Sequence, residues 1–199
     1  MDDQREQQVL MTGIGGQGIQ LASQVLARAA ILAGLDVQLF GSYEGMMRGG
    51  ATEATLVVSG ENVQAPPTIH EASAAILMHH EHAGGAVVRV RPGGLLLVNS
   101  SVVEDPVVLP DCTVLAIAAT DTAVRVGHAM TASMVAVGAY AALTGLVGSA
   151  LLEEAVGQSL PPYRRAHIPL NVAALAAGFA LAGDVATARG HQTPVSLRR

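Results

Sequence analysis

The feature that most constrains this chain is Gly13-Ile14-Gly15-Gly16-Gln17-Gly18, set between a short apolar run, Val9 to Thr12, and a helical segment, Ile19 to Ala33. Strand, glycine turn and helix, in that order, aim backbone N–H groups and a helix N-terminus at one point in space. That point attracts anions, because first-turn N–H groups lack intrahelical partners and the helix dipole is positive there. Gly13, Gly15 and Gly18 also match the spacing G-x-G-x-x-G. A dinucleotide reader places an acidic residue at the end of its second strand, to hold ribose hydroxyls. Here the second strand, Val37–Phe40, runs into Gly41-Ser42, with Asp36 at its wrong end and Glu44 beyond it in a loop. The turn for a phosphate is present and the ribose clamp is not where such readers carry it. That disfavours NAD(P). It leaves open a turn that only packs a helix on a sheet, or a site for another anionic group: the phosphates of a cofactor, or a substrate carboxylate.

After the first strand and helix, short apolar or alternating runs recur at Val37–Phe40, Ala54–Ser59, Ala74–Met78, Leu95–Val98 and Thr113–Ala116. A glycine-rich loop, residues 41–50, follows Val37–Phe40, and Pro66-Pro67 breaks the chain further on. A helix is expected over His80–Arg89, interrupted by Gly84-Gly85, with a turn at Arg91-Pro92-Gly93-Gly94. Short strands separated by helices predict an α/β fold: a Rossmann-like, doubly wound, mostly parallel sheet with helices on both faces. With 199 residues, positions 1–186 are expected to form one domain and 187–199 a loose tail.

Composition narrows the function. Half of the residues are apolar, with two Phe, three Tyr and no Trp, so the core is built from small side chains. The net charge is -5 and no basic cluster interleaves with aromatics, which argues against a nucleic-acid partner. The single cysteine, Cys112, forms no internal disulfide and holds no iron–sulfur cluster alone; it is expected to be buried and inert. Any redox centre must then lie on another chain. The polar opening, Met1 to Glu6, is unlike a signal peptide, and a cytoplasmic location is expected.

From His128 to Leu152 there is no charged side chain except at the histidine. The small residues there, with Gly145 and Gly148 in the middle and no flanking basic cluster, favour two buried helices, Ala129–Thr144 and Ser149–Gln158, over a membrane span. A helix apolar all round needs cover on every face, so a partner subunit is expected. A further apolar helix is expected over Asn171–Ala182.

Several segments together resemble one family. Met11-Thr12-Gly13-Ile14-Gly15-Gly16-Gln17-Gly18 is similar to the opening of the gamma subunit of 2-oxoacid:ferredoxin oxidoreductases. Tyr43 followed by Met47-Arg48-Gly49-Gly50 resembles a second hallmark, and Arg91 to Ser101 a third. The resemblance spans about Val9 to Ala182. It implies a Rossmann-like subunit, inactive alone, in a multi-subunit enzyme that oxidatively decarboxylates a 2-oxoacid to an acyl-CoA and sends electrons to ferredoxin or a similar acceptor. It implies that thiamine diphosphate and iron–sulfur clusters are held largely by partners: an alpha subunit, a thiamine-binding beta subunit and a ferredoxin-like subunit. The alternative is a stand-alone Rossmann-type nucleotide- or CoA-binding protein. Glu44-Gly45-Met46, where the family often has Gly-Pro, bears on the substrate more than on the fold.

The candidate cofactor-binding residues are therefore Gly13, Gly15, Gly16, Gln17, Gly18, Tyr43, Arg48, Gly49 and Gly50. Arg48 suits a carboxylate or phosphate because guanidinium binds both bidentately; the alternative is pairing with Glu44 or Glu53 to fix its loop. Tyr43 lines a pocket or caps the core. No catalytic residue stands out. His79-His80-Glu81-His82 has poor metal-ligand spacing, since adjacent side chains diverge and only His79 and His82 share a helical face, so no metal site is expected.

Overall fold

The structure is a computed structural model and describes residues 6–43, 49–64, 66, 68–105 and 107–188. Strands β1 (Glu6–Ile14), β2 (Asp36–Tyr43), β3 (Ala51–Ser59), β4 (Ala72–Leu77), β5 (Val90–Asn99) and β6 (Thr113–Ile117) form one sheet in the order β2-β3-β1-β4-β5-β6. β1, β4, β5 and β6 run parallel, whereas β3 runs against both β1 and β2. Among the described residues five of six strands point one way, so the sheet is mixed around a single reversed strand. The reversal follows from the short link between β2 and β3, residues 44–50, because a parallel crossover needs about a dozen residues or more.

Helices α1 (Ile19–Leu32), α2 (Ala83–Val87), α3 (Ala119–Val126), α4 (Ala132–Thr144), α5 (Ser149–Ser159) and α6 (Ile168–Ala188) complete the fold, with 3-10 turns at His80–His82, Ala129–Thr131 and Pro162–His167. Successive strand residues feed two separate cores. Val9, Met11, Leu56, Ile76, Leu97 and Leu115 face α1 and α3 to α6. Leu10, Val57, Leu77, Leu96 and Val98 face the other way, toward Ala86 of α2, Ile69 and Val103. Both faces of the sheet are thus covered, as expected for strands that read as nearly continuous apolar runs.

The apolar C-terminal part differs from expectation in how it is covered. Every residue from Ala132 to Ala141 of α4 is buried, and α6 lies along it. Gly138 and Gly178 permit this: a Cβ at Gly138 would overlap the Leu175 carbonyl, and one at Gly178 the Val135 carbonyl. Tyr140 is buried on α4, its hydroxyl donating to Gln7 Oε1 at 3.3 Å, and burial pushes its phenol well above the usual range. The chain itself therefore covers α4. α5 is one-sided, burying Leu152, Ala155 and Val156 while Glu153 and Glu154 face outward. Apolar surface remains on α6, where Ala173, Ala176 and Ala180 are exposed opposite buried Ala174 and Leu175. The segment Pro162–Gly183 is long and apolar enough to cross a bilayer by length and composition, yet its Ala174–Leu175 face belongs to the core.

Three local expectations are corrected. Gly84-Gly85 sit inside α2 rather than interrupting a helix, and the turn at residues 91–94 is an irregular stretch within β5, where the register against β4 shifts and Gly93 takes φ 78. α6 extends the expected Asn171–Ala182 helix to Ile168–Ala188. α3 was not expected at all. It has no capping residue of its own, since Ala118 precedes it. Its first N–H groups bond instead to β5 and the loop after it: Thr120 N–H donates to Asn99 Oδ1 at 3.2 Å and Asp121 N–H to Ser101 Oγ at 3.1 Å.

Candidate functional site

The carboxyl ends of β1 and β4 are neighbours, because the two strands pair in parallel from Val9↔Ala74 to Thr12↔Leu77. From β1 the chain turns into α1 on one face of the sheet; from β4 it turns into α2 on the other. Such a divergence opens a crevice at the strand ends, the usual ligand position in open α/β sheets.

The glycine turn forms one lip of this crevice, and Gln17 organises it. Ile14 N–H donates to Gln17 Oε1 at 2.9 Å, Gln17 Nε2 donates to the Met78 carbonyl at 3.1 Å, and Gln17 N–H reaches the Ile14 carbonyl at 3.2 Å. The side chain thereby ties the turn to the end of β4. It lies over Gly13, where a Cβ would strike Gln17 Oε1 and come within 3.0 Å of Ile19 Cδ1. Gly16 has φ 99, and Gly18 caps α1 at φ 77 with no side chain closing the helix end. Gly18→Ala is expected to cost about 1–2 kcal/mol, because an L-residue resists the left-handed region and its Cβ would stand 3.0 Å from Ser133 Oγ. Denaturant unfolding checks this: the midpoint falls and the slope holds.

The second glycine motif joins the first. Gly15 N–H donates to the Gly50 carbonyl at 2.9 Å, which brings Gly49-Gly50 to the turn; Gly49 is exposed at φ 88. Tyr43 ends β2. Arg48, Glu44 and the side chain of Tyr43 lie outside the described residues. Of the two carboxylates considered as partners for Arg48, Glu53 is bound by Arg89 at 2.7 Å; Arg89 also donates to the Ile69 carbonyl at 2.6 Å.

Sequence reasoning gave Asn99 no role, yet the structure places it at the centre of the strand ends. It is 1% exposed. Its Nδ2 donates to Thr120 Oγ1 at 2.9 Å and, more weakly, to the Met78 carbonyl at 3.5 Å. The signal available was a lone polar residue closing an apolar strand, Leu95–Val98.

On the α2 side lies a cleft of about 400 Å³ lined by Thr12, Ser42, Ala51, Thr52, Glu53, Glu81 and residues 84–86. Thr12 Oγ1 and Thr52 Oγ1 are buried with no hydrogen-bond partner among the described residues.

The histidine cluster corrects its expected geometry. Donor atoms of His79, His80 and Glu81 all lie within 4.8 Å of one another, although these residues are consecutive. The cause is backbone shape: His79 is extended at φ -152 and ψ 143, and the 3-10 turn then winds His80 and Glu81 back over it. The His79 and His80 rings stack with centroids 4.4 Å apart. His79 Nδ1 accepts from Glu81 N–H at 3.3 Å, which in the neutral ring leaves the proton on Nε2. A metal ion would have to displace that cap, so the cluster is better described as a helix start. The His82 side chain lies outside the described residues. Cys112 is half-buried, not buried as expected, with Sγ against the Arg91 carbonyl at 3.3 Å.

Comparison with known proteins agrees with this architecture. The model of the family described as pyruvate ferredoxin/flavodoxin oxidoreductase matches residues 8–181. A 2-oxoglutarate synthase subunit KorC from Methanothermobacter marburgensis is 33% identical over 162 residues, 78% of this chain and 87% of that protein. The gamma subunit of a keto/oxoacid ferredoxin oxidoreductase from Geobacter sulfurreducens superimposes with a TM-score of 0.75 at 31% identity, covering 89% of this chain and 99% of that one. A 2-oxoglutarate:ferredoxin oxidoreductase from Magnetococcus marinus, solved with 2-oxoglutarate, coenzyme A and succinyl-CoA bound, shares the fold. Its TM-score is 0.82 at 20% identity, over 96% of this chain and 32% of that one.

Proposed function

The chain belongs to the pyruvate ferredoxin/flavodoxin oxidoreductase family, as a gamma subunit of a 2-oxoacid:ferredoxin oxidoreductase complex, and on that premise we propose how its own residues serve the complex. The glycine turn and the Gly49-Gly50 segment form one lip against which an anionic part of a cofactor rests. The observation that carries this is the Gly15 N–H to Gly50 carbonyl bond, which makes two distant glycine motifs a single surface.

Within that surface the roles divide. Gly13 and Gln17 shape the turn, since the glutamine's Oε1 and Nε2 both bond within the chain. Gly16, Gly18 and the uncapped start of α1 present backbone to a ligand, and Arg48 supplies charge from the adjoining loop. Coenzyme A, whose phosphates suit a helix N-terminus, is the cofactor we place there. Tyr43, at the strand end beside this loop, borders the same site. The complex's reaction removes CO2 from a 2-oxoacid, passes the oxidised acyl group to a thiol and releases two electrons to an acceptor. Thiamine diphosphate would supply the carbanion stabilisation for it, and one half-buried cysteine cannot ligate a cluster, so the iron–sulfur centres belong to partner subunits, where we place the thiamine as well. Those partners are an alpha subunit, a thiamine-binding beta subunit and a ferredoxin-like subunit, assembled in the cytoplasm. Residues 1–186 act as one domain in this assembly.

Co-expression with the neighbouring subunits tests the proposal. The purified complex should reduce a dye with a 2-oxoacid and CoA, and Arg48→Ala should raise the KM for CoA at least tenfold while the complex stays intact. An unchanged KM removes Arg48 and this lip from the CoA site. A chain that purifies alone, with no cluster-bearing companion, removes the assembly.

A further inference from the structure

We propose that the cleft on the α2 side of the sheet, beside the end of β1, binds a small molecule through a primary ammonium group. The first observation is Thr12. It alternates with Met11, so it shares the face of Leu10, the side covered by α2. It is 4% exposed, it lines the cleft, and its Oγ1 has no partner among the described residues. Buried hydroxyls are nearly always hydrogen-bonded, so an unpartnered one on a residue that lines a cleft marks a place for a ligand's polar atom.

The second observation is the chemistry around it. Glu53 pairs with Thr12 across β1 and β3, and Glu81 enters from the 3-10 turn before α2. An ammonium group has three donors and no acceptor. Thr12 Oγ1, Glu53 and Glu81 supply three oxygens, and Ser42 a fourth. Arg89 already neutralises Glu53 through Oε1 at 2.7 Å, which among the described residues leaves one negative charge in excess and matches a monocation. The same carboxylates repel phosphate and carboxylate ligands, so this cleft and the glycine lip select opposite charges. Gly84 and Gly85 keep the outer wall low, since a Cβ at either would meet nothing within 4 Å. A volume of about 400 Å³ suits a small molecule.

Calorimetric titration of the full chain with n-butylammonium chloride tests this, with tetramethylammonium as the control that carries charge without N–H donors. Saturable one-to-one binding is expected for the first and none for the second. Thr12→Val and Glu81→Gln should each weaken binding about tenfold, the loss of one charge-assisted hydrogen bond. Thr12→Val should at the same time raise the melting temperature, because a methyl replaces an unpartnered buried hydroxyl; a residue with only a structural role would not move the two readouts in opposite senses. Absence of saturable binding, equal binding of tetramethylammonium, or full affinity in Glu81→Gln, an exposed position that tolerates the change, each overturns the proposal. So does loss of the site when the chain joins its complex, which would assign the ammonium to a partner's side chain.

Discussion

Gly138→Ala lowers the melting temperature of this chain by roughly 6–12 °C, and Gly178→Ala does the same. α4 and α6 cross where each glycine faces a backbone carbonyl of the other helix, and the added Cβ would overlap it. A flexible side chain can swing away from such an overlap; a helical carbonyl moves only with its helix. Overpacking of this kind costs about 3 kcal/mol, at the upper end of the usual range, and each kcal/mol is worth about 2–4 °C in a chain this long. The double variant should lose less than the sum, because the helix shift that accommodates one methyl makes room for the other. Gly157→Ala is the control: it lies in α5 with nothing near its missing Cβ, and alanine there should be neutral or stabilising by about 0.5–1 kcal/mol. Thermal unfolding followed by circular dichroism reads all four. A Gly138→Ala protein that melts with the wild type would show that the two helices do not approach backbone to backbone.

Gln17→Ala reduces turnover of the assembled complex about tenfold, equivalent to about 1.4 kcal/mol of transition-state stabilisation, while the subunit remains folded. The substitution leaves Ile14 N–H without its side-chain partner and the Met78 carbonyl with only the weak bond from Asn99, and it frees the turn from β4. Gln17→Glu separates the two halves of this effect. It keeps an acceptor for Ile14 N–H but sets a carboxylate against the Met78 carbonyl, two acceptors facing each other. It should therefore be as poor as alanine if the bridge to β4 matters, and close to wild type if only the turn does. Steady-state assays on the complex, with melting temperatures alongside, decide it. Wild-type turnover in Gln17→Ala would reduce the glutamine to a filler over Gly13.

Much of the fold was legible because its signals are local. The strand cores at Val9–Thr12, Ala54–Ser59 and Leu95–Val98 are apolar runs that only a covered sheet accommodates, and Gly18 before an apolar helix marks the entry to α1. The single reversed strand among the described residues went unread, although the link between β2 and β3 is too short for a parallel crossover. α3 was missed because its start signal lies in another strand. For the site, the glycine positions stood out, but the bond between Gly15 and Gly50 joins residues 35 apart and has no sequence signature. Gln17 read as a ligand contact in the motif; only the position of the Met78 carbonyl shows where its amide is aimed. The convergence of His79, His80 and Glu81 contradicted strand and helix periodicity alike, because the chain changes from one to the other between them.

The dependence of α3 on Asn99 also has a temporal side. A helix of eight residues does not persist by itself in water. Its first turn bonds to a side chain 21 positions earlier, on a strand that must already be docked to hold that amide still. The first turn of α3 is therefore held only once β5 is docked, and the packing of α4 and α6 against α3 inherits that dependence.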